Sequence, residues 1–212
     1  MRNIKPAIIA ALVVLAAVTF ILIKFPITPE KKEELRIFVS GEDIPAEITT
    51  DYEGAKVSQE KLLKKCVNRE CIPSIDEPEF VTIAQADEWL NDDDEIFGLK
   101  YNGIVRAYPK IIMSWHEIVN DQYAETPVAV TFCPLSGSST AFIRKVNGQE
   151  TEFGMSPYIY NSNMIMYDRK NGNLWQQINY EAIVGPAAKR NEFLQWINIS
   201  NTTWGEWKSA HP

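Results

Sequence analysis

The chain of 212 residues is short of the side chains on which most recognisable chemistry is built, with three cysteines and two histidines in all. His211 is the penultimate residue, where chains fray, so imidazole chemistry inside a folded domain falls to His116. No Walker loop, G-x-G-x-x-G, HExxH or G-x-S-x-G occurs, and Ser136-Gly137-Ser138 is not a nucleophile elbow. Long Lys/Arg runs are missing too, and the formal net charge is -7. Phosphate neutralisation needs a concentrated basic face, so nucleic acid is excluded as a partner. No internal repeat or low-complexity tract is visible. What remains, at 45% hydrophobic and 23% charged, is the composition of a globular protein long enough to bury one full core.

One apolar run stands out. Ala7 to Ile23 carries no charge, with Arg2 and Lys5 before it and Lys24 and Pro26 after it. At about 1.5 Å per residue, a helix of this length plus its flanks just crosses the roughly 30 Å hydrocarbon core. Phe20, Ile21, Leu22 and Ile23 occupy the exit, where a cleaved signal peptide has small residues, so an uncleaved anchor is expected. Flanking charges leave the orientation open, since Lys24, Lys31, Lys32 and Arg36 face Arg2 and Lys5. Cysteine usage supplies the second argument. Cys66 and Cys71, in the segment CVNREC, have the spacing of a small disulfide loop that persists only in an oxidising compartment. The expectation is a single-pass membrane protein with its C-terminal domain outside the cytoplasm.

The organisation expected is an anchor over 1–25, a charged spacer and irregular lead-in over 26–63, and one α+β domain over 64–212. A candidate strand at Arg36 to Val39 lies within the spacer. Thr82 can cap a helix over Ala84 to Leu90. Glu95 to Lys100 and Ile104 to Tyr108 flank an Asn102-Gly103 hairpin turn. Lys110 to Val119 has apolar residues at helical spacing, with His116 beside that face. Thr126 to Phe132 reads as a buried strand, Thr140 to Val146 as a second, and Met164 to Tyr167 and Leu174 to Ile178 as a strand pair. The fold class is therefore α+β, mainly antiparallel β hairpins with a few short helices and one N-terminal transmembrane helix.

Three motifs follow in order: WHEIVND from Trp115, VAVTFCPLSGSSTAF from Val128, and FGMSPYIYNSNMIMYDRKNGNLWQQ from Phe153. The series closely resembles that of domain-of-unknown-function family 3179, from about Cys71 to the terminal TTWGEWKSAHP. The resemblance implies a secreted or membrane-anchored prokaryotic protein without an established activity. Two departures bear on mechanism. Ser136 stands where many relatives carry a second cysteine, so a disulfide from Cys133 to that position is impossible. Met155-Ser156-Pro157 replaces a frequent Val-Ser-Gly and is expected to stiffen a turn.

Cys133 ends an apolar strand, and His116 lies in the adjoining element. A thiol within reach of an imidazole can be a nucleophile, a redox centre or a soft-metal ligand. The turn after Cys133 is expected to aim N–H groups at the sulfur, with Ser136, Asp168 and Arg169 as neighbours and Asp168 able to orient His116. Tyr160, Asn161, Arg169 and Trp175 belong to a segment whose aromatic, amide and charged groups can hold a small polar ligand. Equally, free cysteines are commonly buried, and a histidine beside Trp115 can tie a helix to a sheet through a backbone carbonyl. Copper on Cys133, His116 and a methionine (Met155, Met164 or Met166), or zinc on Cys66, Cys71, Cys133 and His116, are minor alternatives. Two functional classes follow: a Cys133/His116 thiol-based catalytic or redox site, or a non-enzymatic metal- or small-ligand-binding accessory module of a membrane complex. The cofactor is left unassigned.

Overall fold

Two-residue turns set the registers of this strand-rich fold, seen in a computed structural model that describes residues 51–212. Asn102 and Gly103 both take positive φ, at 49° and 79°, and close β2 (Glu95–Tyr101) onto β3 (Ile104–Pro109). Asn161 and Ser162, at 49° and 58°, do the same for β9 (Phe153–Tyr160) and β10 (Asn163–Asp168). Turns with both central residues in this region match the twist of antiparallel strands, and asparagine and glycine tolerate it best.

The five-stranded sheet has the order β1-β9-β10-β11-β12, with β1 Leu63–Lys64, β11 Leu174–Gln176 and β12 Glu181–Val184. A four-stranded sheet runs β13-β6-β5-β4, from Trp196–Ile197 through Ser138–Ile143 and Thr126–Cys133 to Ile118–Tyr123. The three-stranded sheet is β14-β2-β3, with β14 at Ser200–Thr203, and β7 (Lys145–Val146) pairs with β8 (Gln149–Glu150). Four short α-helices, α1 Ile83–Ala86, α2 Lys110–His116, α3 Pro186–Lys189 and α4 Trp204–Ala210, and one 3-10 helix at Gln59–Lys61 complete the described part. All named strand pairs are antiparallel, which bears out a strand-rich α+β fold.

β5 is buried on both faces and feeds two cores by alternation. Ala129 and Cys133 join Ile118, Phe142, Phe153 and Trp175, while Val128, Val130 and Phe132 join Phe97, Leu99 and Tyr123. β10 alternates as its sequence indicates, with Met164 and Met166 in the first cluster and Ile165 and Tyr167 in another. Each fully buried side chain of this size is worth about 1.5–3 kcal/mol relative to exposure.

Two local expectations are corrected. The helix forecast to Val119 stops at His116, because Glu117 adopts φ 57° and turns the chain into β4, paired with β5 from Ile118↔Thr131 to Tyr123↔Thr126. The turn expected at Met155-Ser156-Pro157 is instead part of β9, whose register against β10 shifts between Met164 and Met166. Proline lacks an N–H, and a bulge is where a strand tolerates it.

Residues 48–212 form one compact unit, and Val57 and Leu62 from the lead-in segment are buried in its core. Among the described residues no helix is long and apolar enough to cross a membrane. The Ala7–Ile23 segment and the Arg36–Val39 strand lie outside the described residues.

Candidate functional site

The helix-to-strand elbow at Glu117 brings the WHE and FC motifs to adjoining strand ends, where the Phe132 N–H donates to the Glu117 carbonyl at 2.8 Å. The side chains then diverge in role. His116 Nδ1 lies 2.9 Å from the Pro73 carbonyl oxygen. A carbonyl only accepts, so Nδ1 carries the hydrogen, and the ring pins the Pro73 segment to α2. Cys133 is free and 2% exposed, packed in the cluster that holds Ile118, Met155 and Met164. Among the described residues no hydrogen bond joins it to His116. The turn N–H expected to reach the sulfur is instead that of Gly137, donated to the Cys133 carbonyl at 2.8 Å.

Ser136 enters a polar network that bridges the two larger sheets. Its Oγ accepts from Asn163 Nδ2 at 3.1 Å and lies 2.8 Å from Ser138 Oγ. Fully buried Gln177 is the hub: its Oε1 accepts from Asn163 Nδ2 and from Ser138 Oγ, each at 2.8 Å, and its Nε2 donates to Thr131 Oγ1 at 3.2 Å. With donors and acceptors matched, this network fixes the packing of sheet on sheet.

Asp168 accepts from Trp175 Nε1 at 2.9 Å, Asn173 Nδ2 at 2.7 Å and the Asn171 N–H at 2.7 Å. It is fully buried and holds its own turn; no hydrogen bond connects it to His116 among the described residues. Trp175 is fully buried as well, its ring 6.1 Å from that of Phe153. Arg169 is committed elsewhere, donating to Glu70 at 2.9 Å and to Asp76 and Glu152 at 2.7 Å each. Those bonds outweigh its burial and raise its pKa above the ordinary arginine range. Asn161 forms the β9–β10 turn, and Tyr160 is a partly buried neighbour of the Ile165 cluster. The four residues expected to share a ligand thus divide between a core, a turn and an ion-pair cluster.

Cys66 and Cys71 are joined as a disulfide, with Cα atoms 6.2 Å apart. Bonded sulfurs cannot ligate as thiolates, so the zinc set of Cys66, Cys71, Cys133 and His116 is withdrawn. Among the described residues no group of three or more His, Cys, Asp or Glu is placed to hold a metal ion. Met155, Met164 and Met166 share the Cys133 cluster, while His116 is bonded to Pro73. Glu117, not singled out from the sequence, is 4% exposed, and burial raises its pKa, opposed in part by Lys65.

A different surface has the shape of a binding site. A cavity of about 520 Å³ lies between the Ile75–Val81 stretch, α1, β3, α2 and α4. Its walls carry partly exposed apolar side chains: Phe80 at 41%, Val81 at 55%, Trp89 at 49%, and Val105 and Ile112 at 36% each. At one end the Arg106 guanidinium pairs with Asp121 and lies 4.3 Å from the Phe80 ring centroid. The Asp121 contact outweighs burial and raises the Arg106 pKa. Tyr108 donates to Asp121 Oδ2 at 2.5 Å, and its hydroxyl is 2.9 Å from that of Tyr123. Burial, then Tyr123 and Asp121, raise the Tyr108 phenol far above its usual range, so it stays a neutral donor. These polar groups satisfy one another and leave the groove apolar.

A family model described as a protein of unknown function, DUF3179, matches residues 69–212. The chain belongs to the DUF3179 family. No curated protein and no solved structure matches it. The DUF3179 match takes in the whole groove, the Gln177 network and Cys71, and leaves Cys66 outside. The groove of this DUF3179 domain went unread in the sequence because its walls come from separate segments. The signal available was Phe80-Val81-Thr82-Ile83, an apolar patch set between acidic and proline-rich stretches, followed by Trp89.

Proposed function

We propose that this domain is a non-enzymatic binding module, an accessory part of a membrane complex, and that the groove is its working surface. The Ala7–Ile23 segment tethers it to the membrane, with the folded unit outside the cytoplasm. The carrying observation is the cavity of about 520 Å³ whose apolar walls stand exposed, a size and character suited to an apolar guest. The thiol reading asks more of the fold. Cys133 has to leave a packed cluster before its sulfur can meet a reactant, and among the described residues no hydrogen bond joins it to His116. The Cys66–Cys71 bridge supports the extracytoplasmic placement, since such loops are reduced in the cytosol.

The compact unit 48–212 carries four apolar clusters of its own and is suited to a solution test. Titration with Nile red, a neutral apolar dye, is expected to give saturable emission that Val105→Glu abolishes and Cys133→Ser leaves intact. Emission insensitive to Val105→Glu, or lost in Cys133→Ser, overturns the reading.

A further inference from the structure

We infer that the groove receives an extended peptide that adds to β3 as a new strand, with alternating apolar side chains against the groove walls and lysine or arginine at its ends. This rests on the binding-module reading and names the partner class of the same surface.

The first observation is the free edge. In the order β14-β2-β3, β3 is terminal. The two-residue turn makes Tyr101 and Ile104 a hydrogen-bonded pair, and alternation along the register gives Leu99↔Arg106 and Phe97↔Tyr108 the same role. Val105 and Ala107 therefore direct their N–H and C=O groups away from β2. Among the described residues no backbone hydrogen bond from another segment meets them. Pro109 has no N–H and ends the edge.

The second observation is where that edge lies. Val105, Arg106, Ala107, Tyr108 and Pro109 all line the groove. Successive residues of a strand point to opposite faces, so a cavity touching all of them runs along the strand's rim. The four residues before Pro109, at about 3.3 Å each, offer roughly 13 Å of ladder. Open edges are ordinarily guarded by charge, proline or a covering segment. This one is bounded by Pro109 at its end and carries Arg106, held by Asp121, while Phe80, Val81 and Ile112 stand beside it, an arrangement of backbone hydrogen bonds plus side-chain pockets that strand addition uses.

The third observation is charge. Of the cations lining the groove, Arg106 is paired with Asp121, and Lys208 with Asp87 and Asp92, each of the latter at 2.7 Å. Glu79, which lines the groove, and Glu77 and Glu88, next in sequence to the lining residues Pro78 and Trp89, are exposed and make no ion pair among the described residues. The rim is thus acidic around an apolar floor, complementary to a peptide with cationic ends.

The test uses the full chain in phosphatidylcholine nanodiscs and a fluorescein-labelled peptide of sequence KKVTVTVKK, followed by anisotropy against empty discs. Saturable binding is expected, weakened at least tenfold when the peptide amides on one edge are N-methylated, and weakened by salt. Val105→Pro removes one outward N–H without touching the bonds to β2, and a tenfold loss is expected there while Nile red still binds. Equal binding of the methylated and unmethylated peptides overturns strand addition and leaves the groove reading standing. So does a peptide with glutamates at its ends that binds as well, or self-association of the chain that the peptide does not displace. Failure of Nile red and peptide together overturns the groove reading itself.

Discussion

His116 Nδ1 spends its hydrogen bond on the Pro73 carbonyl, 2.9 Å away, while Cys133 is packed at the end of β5. The prediction is that His116→Ala costs about 1 kcal/mol of stability, the net worth of one hydrogen bond. Alkylation of native Cys133 should be slow at every pH and keep the same profile in that variant. A thiol that reacts quickly near neutral pH, and slows when His116 is removed, restores the thiol reading.

Gln177 should be costlier to lose. Gln177→Leu leaves Asn163, Ser138 and Thr131 short of partners inside the core, and a loss of about 2–3 kcal/mol is expected in urea unfolding. Asn163→Ala combined with Gln177→Leu should cost less than the sum of the two, because both belong to one network. Strict additivity argues against a shared network.

Glu117 supplies a pH signature. Burial raises its carboxyl pKa, so the folded state keeps a proton that the unfolded chain has already released. Its contribution to stability is greatest below the unfolded value of about 4.3 and falls as pH rises through the folded value. Glu117→Gln is neutral throughout and should gain stability relative to the native chain between about pH 4 and pH 7. Unfolding midpoints of both proteins at the two pH values test this; a constant gap refutes it.

The disulfide closes a short loop, so its chain-entropy contribution is about 2 kcal/mol. Cys66→Ser with Cys71→Ser should lower stability by no more than that and leave Nile red binding unchanged, since neither residue lines the groove. A loss of dye binding in a folded double variant places the groove's integrity under control of the loop.

Local pattern was legible wherever one residue type settles a backbone choice. Asn102-Gly103 announced its hairpin, Thr82 its cap on α1, and the alternation of Met164 to Tyr167 its two faces. The α2–β4 junction was not, because Ile118 and Val119 suit a helix as well as a strand, and only pairing with Thr131 and Val130 decides. The groove was hidden for a related reason. Phe80, Trp89, Val105 and Ile112 lie in separate segments of the sequence, and only the fold brings them to one exposed wall. Arg169 and Trp175 looked adjacent to a ligand because they are polar or aromatic near Tyr160; long-range partners Glu70 and Asp76 claim Arg169, and Phe153 packs against Trp175.

Among the exposed tryptophans, Trp89, Trp115 and Trp196, only Trp89 lines the groove. Fluorine NMR of the 48–212 unit labelled with 5-fluorotryptophan, titrated with Nile red, therefore tests the central claim most directly. The resonance of Trp89 is predicted to shift and saturate while those of Trp115 and Trp196 hold still. Uniform shifts at all three, or an unmoved Trp89, contradict a working groove.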